Sequence, residues 1–230
     1  SRALLNALEI AVFSENEKDG KINICKDTIE NSIQKKIAIY DKKGDRHYDT
    51  ISAFIKSMRG SDPDAAVYYL AKMLESGEDI KFIARRMIIF ASEDISNADP
   101  YALVLATNTF DAINNVGMPE ARIILSQTVT YLSLADKSNS TYLSIDKAMK
   151  FVRENKDREV PNKLKDSHYS GSKNLIHDKY LYPHSFGGYV DQSYLPDDFV
   201  GEKFYQALDI GYEKELNEKL KKRKDETNED

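Results

Sequence analysis

The chain has 230 residues, enough to bury a sizeable core in one large or two smaller domains. Hydrophobic residues at 41% and charged residues at 31% make a globular balance, and the absence of Trp with only 6 Pro argues against a turn-rich β-sandwich. A net charge of −5 excludes a global basic signature, so nucleic-acid contact needs a local patch, and a lone cysteine, Cys25, excludes a disulfide framework and a cysteine-rich zinc site.

The single cysteine fits a reducing compartment. No apolar run reaches the ~18 residues of a membrane span, and "SRALLNALEIAVFSENEKDG" lacks a signal-peptide pattern, so the chain reads as cytoplasmic with no membrane partner. Its first residues look like a helix interior, which predicts a fragment of a longer protein. The sequon Asn139-Ser140-Thr141 then reads as coincidence.

In chain order, Leu4, Leu5, Leu8, Ala11 and Val12 repeat at helical spacing, and Asp27 is a plausible cap for a second helix carrying Ile29 and Ile33. The charged stretch "YDKKGDRHYD" contains Gly44 and no apolar period, which predicts a boundary near residue 45. Tyr48, Ile51, Phe54, Ile55 and Met58 form the next stripe, ended by Gly60. Asp62-Pro63 starts another helix, because Asp caps exposed backbone N–H groups and Pro at the first helical position loses no needed donor; Gly77 stops it.

The same punctuation recurs at Asp79 before "IKFIARRMIIFASEDI", at Asp99-Pro100 before "YALVLATNTFDAINNVG", and at Gly117-Met118-Pro119 before "EARIILSQTVTYLSLA". A further helix is predicted over 142–154. The broad apolar faces at 101–116 and 120–135 suit helices with more than one neighbour. From Lys156 the period fades and Tyr, Gly, Pro and His accumulate, yet Tyr180, Leu181, Phe186, Phe199 and Phe204 are anchors that predict an extended segment packed on helices. A charged helix near 211–223 frays into "KDETNED".

Chemistry is sparse. The sequence contains no G-x-x-x-x-G-K-[ST] phosphate loop, no G-x-G-x-x-G opening a helix and no H-E-x-x-H. A metal would require His47, His168, His177 or His184 to converge with Asp178 or Asp191, and hydrogen-bonded surface histidines are the simpler reading. The pairs Glu93-Asp94 and Asp197-Asp198 read as structural, since adjacent helical residues do not face each other. The one local basic feature combines Lys56 and Arg59 with Lys81, Arg85 and Arg86, where Lys81 and Arg85 sit one turn apart and could share a phosphate. Against that stands an ion-pair network with Glu75, Glu78, Glu93 and Asp94, or packing of long stems over apolar neighbours, which the balanced local charge favours.

Together "SRALLNALE", "HYDTISAFIKSMRGSDPDAAVYYLAKMLESGEDIKFIARRMIIFASEDISNADPYAL", "NNVGMPEARIILSQ" and "YLYPHSFGGYVDQSYLPD" resemble the C-terminal half of the bacterial replication-associated recombination protein A family of AAA+ ATPases, relatives of the Werner-helicase-interacting ATPases. The resemblance implies an ATPase of the clamp-loader branch acting at replication forks, with a nucleotide-binding core, a helical lid and an all-α tetramer-forming domain. In the family the lid helix opens with a Gly-Asp-Ala-Arg-like segment whose Arg reads the nucleotide γ-phosphate; "SRALLNALE" puts Arg2 at that place, and a forked guanidinium suits phosphate oxygens.

These expectations combine into an all-α array resembling a clamp-loader collar: a truncated lid at 1–45, a helical oligomerisation domain at 46–156, an extended tail at 157–210 and a charged helix with a frayed end at 211–230. The chain itself is expected to be non-enzymatic and to need no cofactor. ATP and Mg, DNA and fork proteins belong to the full-length parent, and the expected partner here is a homotetramer of this chain. The competing reading is a helical DNA-contacting domain that binds phosphates through Lys56, Arg59, Lys81, Arg85 and Arg86.

Overall fold

A computed structural model of the chain describes residues 45–165 and 180–228, together with Val12, Ile22 and residues 24–26. Arg2, the first two expected helices, His168 and His177 lie outside the described residues. The architecture is all-α: α1 Asp45–Arg59, α2 Pro63–Glu75, α3 Ile80–Phe90, α4 Tyr101–Val116, α5 Ala121–Leu134, α6 Ser140–Glu154 and α7 Gly211–Asn228, with no strand among the described residues.

Local signals set most boundaries. At the start of α2, the Asp62 carboxylate accepts a hydrogen bond from the Ala65 backbone N–H at 2.9 Å, with Pro63 in the first turn. At its end Gly77 adopts φ +73°, and the N–H groups of Gly77 and Glu78 donate back to the carbonyls of Leu74 and Met73, the paired bonds of a Schellman motif. Asp99 accepts from the Tyr101 N–H at 3.1 Å to open α4, and Gly117, also at φ +73°, closes it.

Two further boundaries fall where the sequence reading puts them, and one differs. α1 ends at Arg59, immediately before Gly60, and Ser61 takes φ 57° in the turn that follows. Pro119 stays in the turn before α5, as the sequence predicts, and the Gly117 carbonyl receives the Ala121 N–H there at 2.8 Å. The helix predicted to run through "ASEDI" instead ends its regular turns at Phe90 and widens into a π-turn, Ala91–Ile95, followed by a 3-10 turn, Ser96–Ala98. Ser96 sits at φ 53°, ψ −132°, which ordinary helix continuation cannot accommodate.

The chain divides into two compact units, each built from separated segments: 1–88 with 105–134, and 89–104 with 135–230. In unit one, α1, α2 and α5 pack on one another. Phe54, Met58, Leu70, Met73, Leu125, Val129 and Leu132 are essentially excluded from water, as helical spacing dictates. Tyr48 breaks the predicted α1 stripe: it is 68% exposed. A buried hydroxyl pair, Thr109 to Thr128 at 2.5 Å, joins α4 to α5; Thr128 spends its own proton on the Ile124 carbonyl, which leaves Thr109 as the donor of the pair.

In unit two, α6 packs against the π- and 3-10 turns and α7 against the 3-10 turn. The extended segment is tied to α6 by Phe151, whose ring meets Phe199 and Phe204 edge-on at 5.0 and 5.3 Å. Arg158 reinforces this region by donating to Asp198 at 2.7 Å and lying over Phe199.

Candidate functional site

The helical scaffold of unit one brings three of the five basic candidates together. Lys56 and Arg59, three residues apart near the end of α1, and Arg86 of α3 line one groove of about 540 Å³. Its remaining wall is mainly apolar and aromatic, from Tyr48, Ile51, Ile55 and Phe82. Among the described residues that wall holds no carboxylate, and the Arg86 Nε is buried without a hydrogen-bond acceptor. An anion entering here would meet three cationic side chains with no carboxylate in the described lining to compensate them.

Lys81 and Arg85 stand outside that lining. Arg85 reaches Asp79 at 3.8 Å, both side chains more than half exposed, and lies 6.0 Å from the Phe82 ring centre. Its partner is thus Asp79 rather than any of the four carboxylates expected from the sequence.

Asp94 is buried in the π-turn, where its carbonyl accepts the Ser138 N–H at 2.8 Å. Asp197 and Asp198 belong to a short 3-10 turn, with Asp198 engaged by Arg158. His184 stacks at a tilt beside Tyr182, ring centres 5.1 Å apart.

Unit two holds a polar cluster that the sequence did not announce. Glu213, in the first turn of α7, is fully buried. It accepts from Ser138 Oγ at 2.5 Å, from Ser140 Oγ and from the Tyr205 hydroxyl at 2.6 Å. Burial pushes its carboxyl pKa up, but those three hydroxyls and the Leu208 backbone outweigh burial and hold it below the ordinary carboxylate value. Burial also raises the Tyr205 phenol, assisted by the Glu213 carboxylate, so the phenol remains a neutral donor.

Gly211 makes this approach possible: at φ +52°, a Cβ there would lie 2.3 Å from the Ala98 carbonyl oxygen. Close by in the chain, burial lowers the Lys137 pKa despite Asp136 and Asp94, and its ammonium donates to the Ala135 carbonyl. An acid two residues after a glycine at a helix start looks in sequence like routine N-terminal charge. Only the return of α7 to Ser138 and Ser140 distinguishes it.

Comparison with known proteins identifies the scaffold. The family described as MgsA AAA+ ATPase C terminal matches residues 60–224, and the AAA C-terminal domain family matches residues 1–59. The chain belongs to the MgsA AAA+ ATPase C-terminal family. It is 46% identical to replication-associated recombination protein A of Bacillus subtilis, over 97% of this chain and 54% of that protein. It is 34% identical to the Escherichia coli protein of the same name, over 96% of this chain and 50% of the relative. ATPase WRNIP1 of Dictyostelium discoideum is 34% identical, over 90% of this chain and 26% of the relative. The chain thus spans about half the length of the bacterial relatives it matches. Among the described residues, no helix is long and apolar enough to cross a membrane.

Proposed function

We propose that this region builds the homotetramer of a clamp-loader-like AAA+ ATPase that acts at replication forks, while ATP and Mg are handled by a nucleotide-binding core supplied by the parent protein. One observation carries the oligomer: aliphatic side chains remain on the surface of the helices predicted to have more than one neighbour. Ile123 of α5 is 60% exposed, and Leu103 and Val104 of α4 are 40% and 50% exposed. Each helix already supplies a full buried face, Ala106 and Ile113 on α4, Leu125 and Val129 on α5, so the outward residues exceed what one core uses. The names of the bacterial relatives support the setting in replication-associated recombination. Sedimentation velocity of Ile123→Asp and Val104→Asp tests the reading. Loss of the assembled species with helicity intact is the expected outcome, and an unchanged assembly in both variants would remove these residues from the interface.

The groove of unit one supports a second reading, contact with DNA. Lys56, Arg59 and Arg86 converge beside the exposed Tyr48, a combination of phosphate-seeking cations and a stacking surface. Lys81 and Arg85 would act only as outlying charge. Charge reversal at Arg59 and Arg86 should abolish salt-dependent binding of a single-stranded oligonucleotide without altering the oligomer. Undiminished binding would dismiss the groove.

A further inference from the structure

We infer that the cleft between α6 and α7 docks an acidic amphipathic helix of a partner protein. Both helices leave the Glu213 cluster at their N-terminal ends, tied there by Ser138, Ser140 and Tyr205. Beyond that tie a cleft of about 490 Å³ is lined by residues of both helices. Thr141, Ile145 and Ala148 form one wall, Leu216 and Leu220 the other, with Tyr205 among the lining residues.

The spacing on each wall selects the shape of the occupant. Positions 141, 145 and 148 advance by one helical turn, as do 216 and 220, so both walls present ridges at helical period. A third helix with apolar residues at i, i+3 or i+4, and i+7 meets both ridges at once. Ile145 is 56% exposed and Leu220 43% exposed, so an occupant removes apolar surface from water that the chain leaves uncovered among its described residues.

Charge selects its chemistry. The lining itself contains no charged side chain, whereas Lys219, Lys221, Lys222, Arg223 and Lys224 crowd the helix around and beyond Leu220, all of them exposed; Glu218 precedes this run, Asp225 and Glu226 follow it, and Lys222 lies 3.8 Å from Glu226. On α6, Lys150 and Arg153 follow Ala148 and are exposed too, with Lys150 3.9 Å from Glu154. Cations beside an apolar floor suit a helix that inserts aliphatic residues and carries carboxylates along its flanks. Nucleic acid fits less well, because its phosphates need cations in the lining, as in the groove of unit one, and the Tyr205 hydroxyl is committed to Glu213. The family match extends to residue 224, so the basic run belongs to the shared domain.

The test is fluorescence anisotropy with the 230-residue chain and a fluorescein-labelled peptide of about five helical turns, leucines on one face and glutamates elsewhere. Saturable binding is expected, weakened at least about tenfold by Leu220→Glu and by Ile145→Glu, with a shallower salt dependence in Lys221→Glu/Lys222→Glu. Circular dichroism verifies that each variant keeps its helices, and the lysine pair variant, changed only at exposed positions, keeps the test independent of packing. Three results would overturn the inference: a lysine-for-glutamate peptide binding equally well, acidic-peptide binding unaffected by Leu220→Glu and Ile145→Glu, or an oligonucleotide whose binding those two variants abolish. If the same variants instead dissociate the oligomer, a second copy occupies the cleft and the partner helix is ruled out; the tetramer reading would survive that result.

Discussion

In unit one, three cations surround a groove whose only buried, unpaired donor is the Arg86 Nε among the described residues. In unit two, one carboxylate, Glu213, is buried but surrounded by three hydroxyl donors, and the cations of α7 stay in water. The two regions put charge to different uses. Cations lining an open groove leave charge available to an outside ligand, while a satisfied buried acceptor fixes one helix to the rest of its unit. Changes in the second region should therefore damage folding, and changes in the first should damage binding alone.

The largest effect should follow Glu213→Ala, which leaves the donors of Ser138, Ser140 and Tyr205 without their acceptor and costs about 3 kcal/mol or more in urea unfolding. Gly211→Ala should act in the same direction, because the added Cβ cannot coexist with the Ala98 carbonyl at 2.3 Å. Wild-type stability at either variant would show that α7 is held by something other than this cluster.

Acid should reproduce the loss. The folded-state pKa of Glu213 is depressed, so its stabilisation is fully present above the unfolded carboxylate value and disappears as pH falls through the folded one. Hydrogen exchange in α7 should accelerate on acidification, and Glu213→Gln should flatten that dependence. An equally steep acid response in the variant would transfer the effect to another carboxylate.

A smaller loss, about 2 kcal/mol, is expected from Phe151→Ala, which removes two edge-on ring contacts from a half-buried position. Limited proteolysis should then cut the 196–206 region first. By contrast, Arg86→Gln should cost less than Phe151→Ala, at most about 1 kcal/mol from lost stem packing, because the buried Nε forfeits no hydrogen bond when removed. A large destabilisation would mean that the guanidinium is structural and would weaken the comparison between the two regions.

The smallest effect concerns Ser96. Glycine tolerates φ 53°, ψ −132° better than serine, a gain of about 1 kcal/mol, but Ser96→Gly also loses the 2.6 Å hydroxyl contact with Thr141. The two contributions nearly cancel, and the melting temperature should move by no more than about 1 °C.

What could be read from the sequence follows the range of each interaction. Asp62-Pro63, Gly77, Asp99 and Gly117 act within one turn of themselves, so helix ends announced by them were legible. The stripe of Ile51, Phe54, Ile55 and Met58 was legible for the same reason. The π-turn at 91–95 was not, since "ASEDI" has a good helical pattern and the wider turn is stabilised by a distant N–H, that of Ser138. Periodicity placed Tyr48 inside, but it points to water at the mouth of the groove. Lys56, Arg59 and Arg86 could be nominated as basic residues on neighbouring helices; that Arg86 joins the groove while Arg85 turns to Asp79 depends on helix rotation. The Glu213 cluster spans 75 residues of sequence between its partners and left no local trace.

The most direct test of the proposed tetramer is the solution mass of this 26.2 kDa chain by light scattering across a dilution series at low and high salt. A stable species of four chains, insensitive to salt as apolar contacts at Ile123, Leu103 and Val104 require, is the predicted result. A single chain at every concentration would contradict it and leave those exposed residues to contacts other than self-assembly.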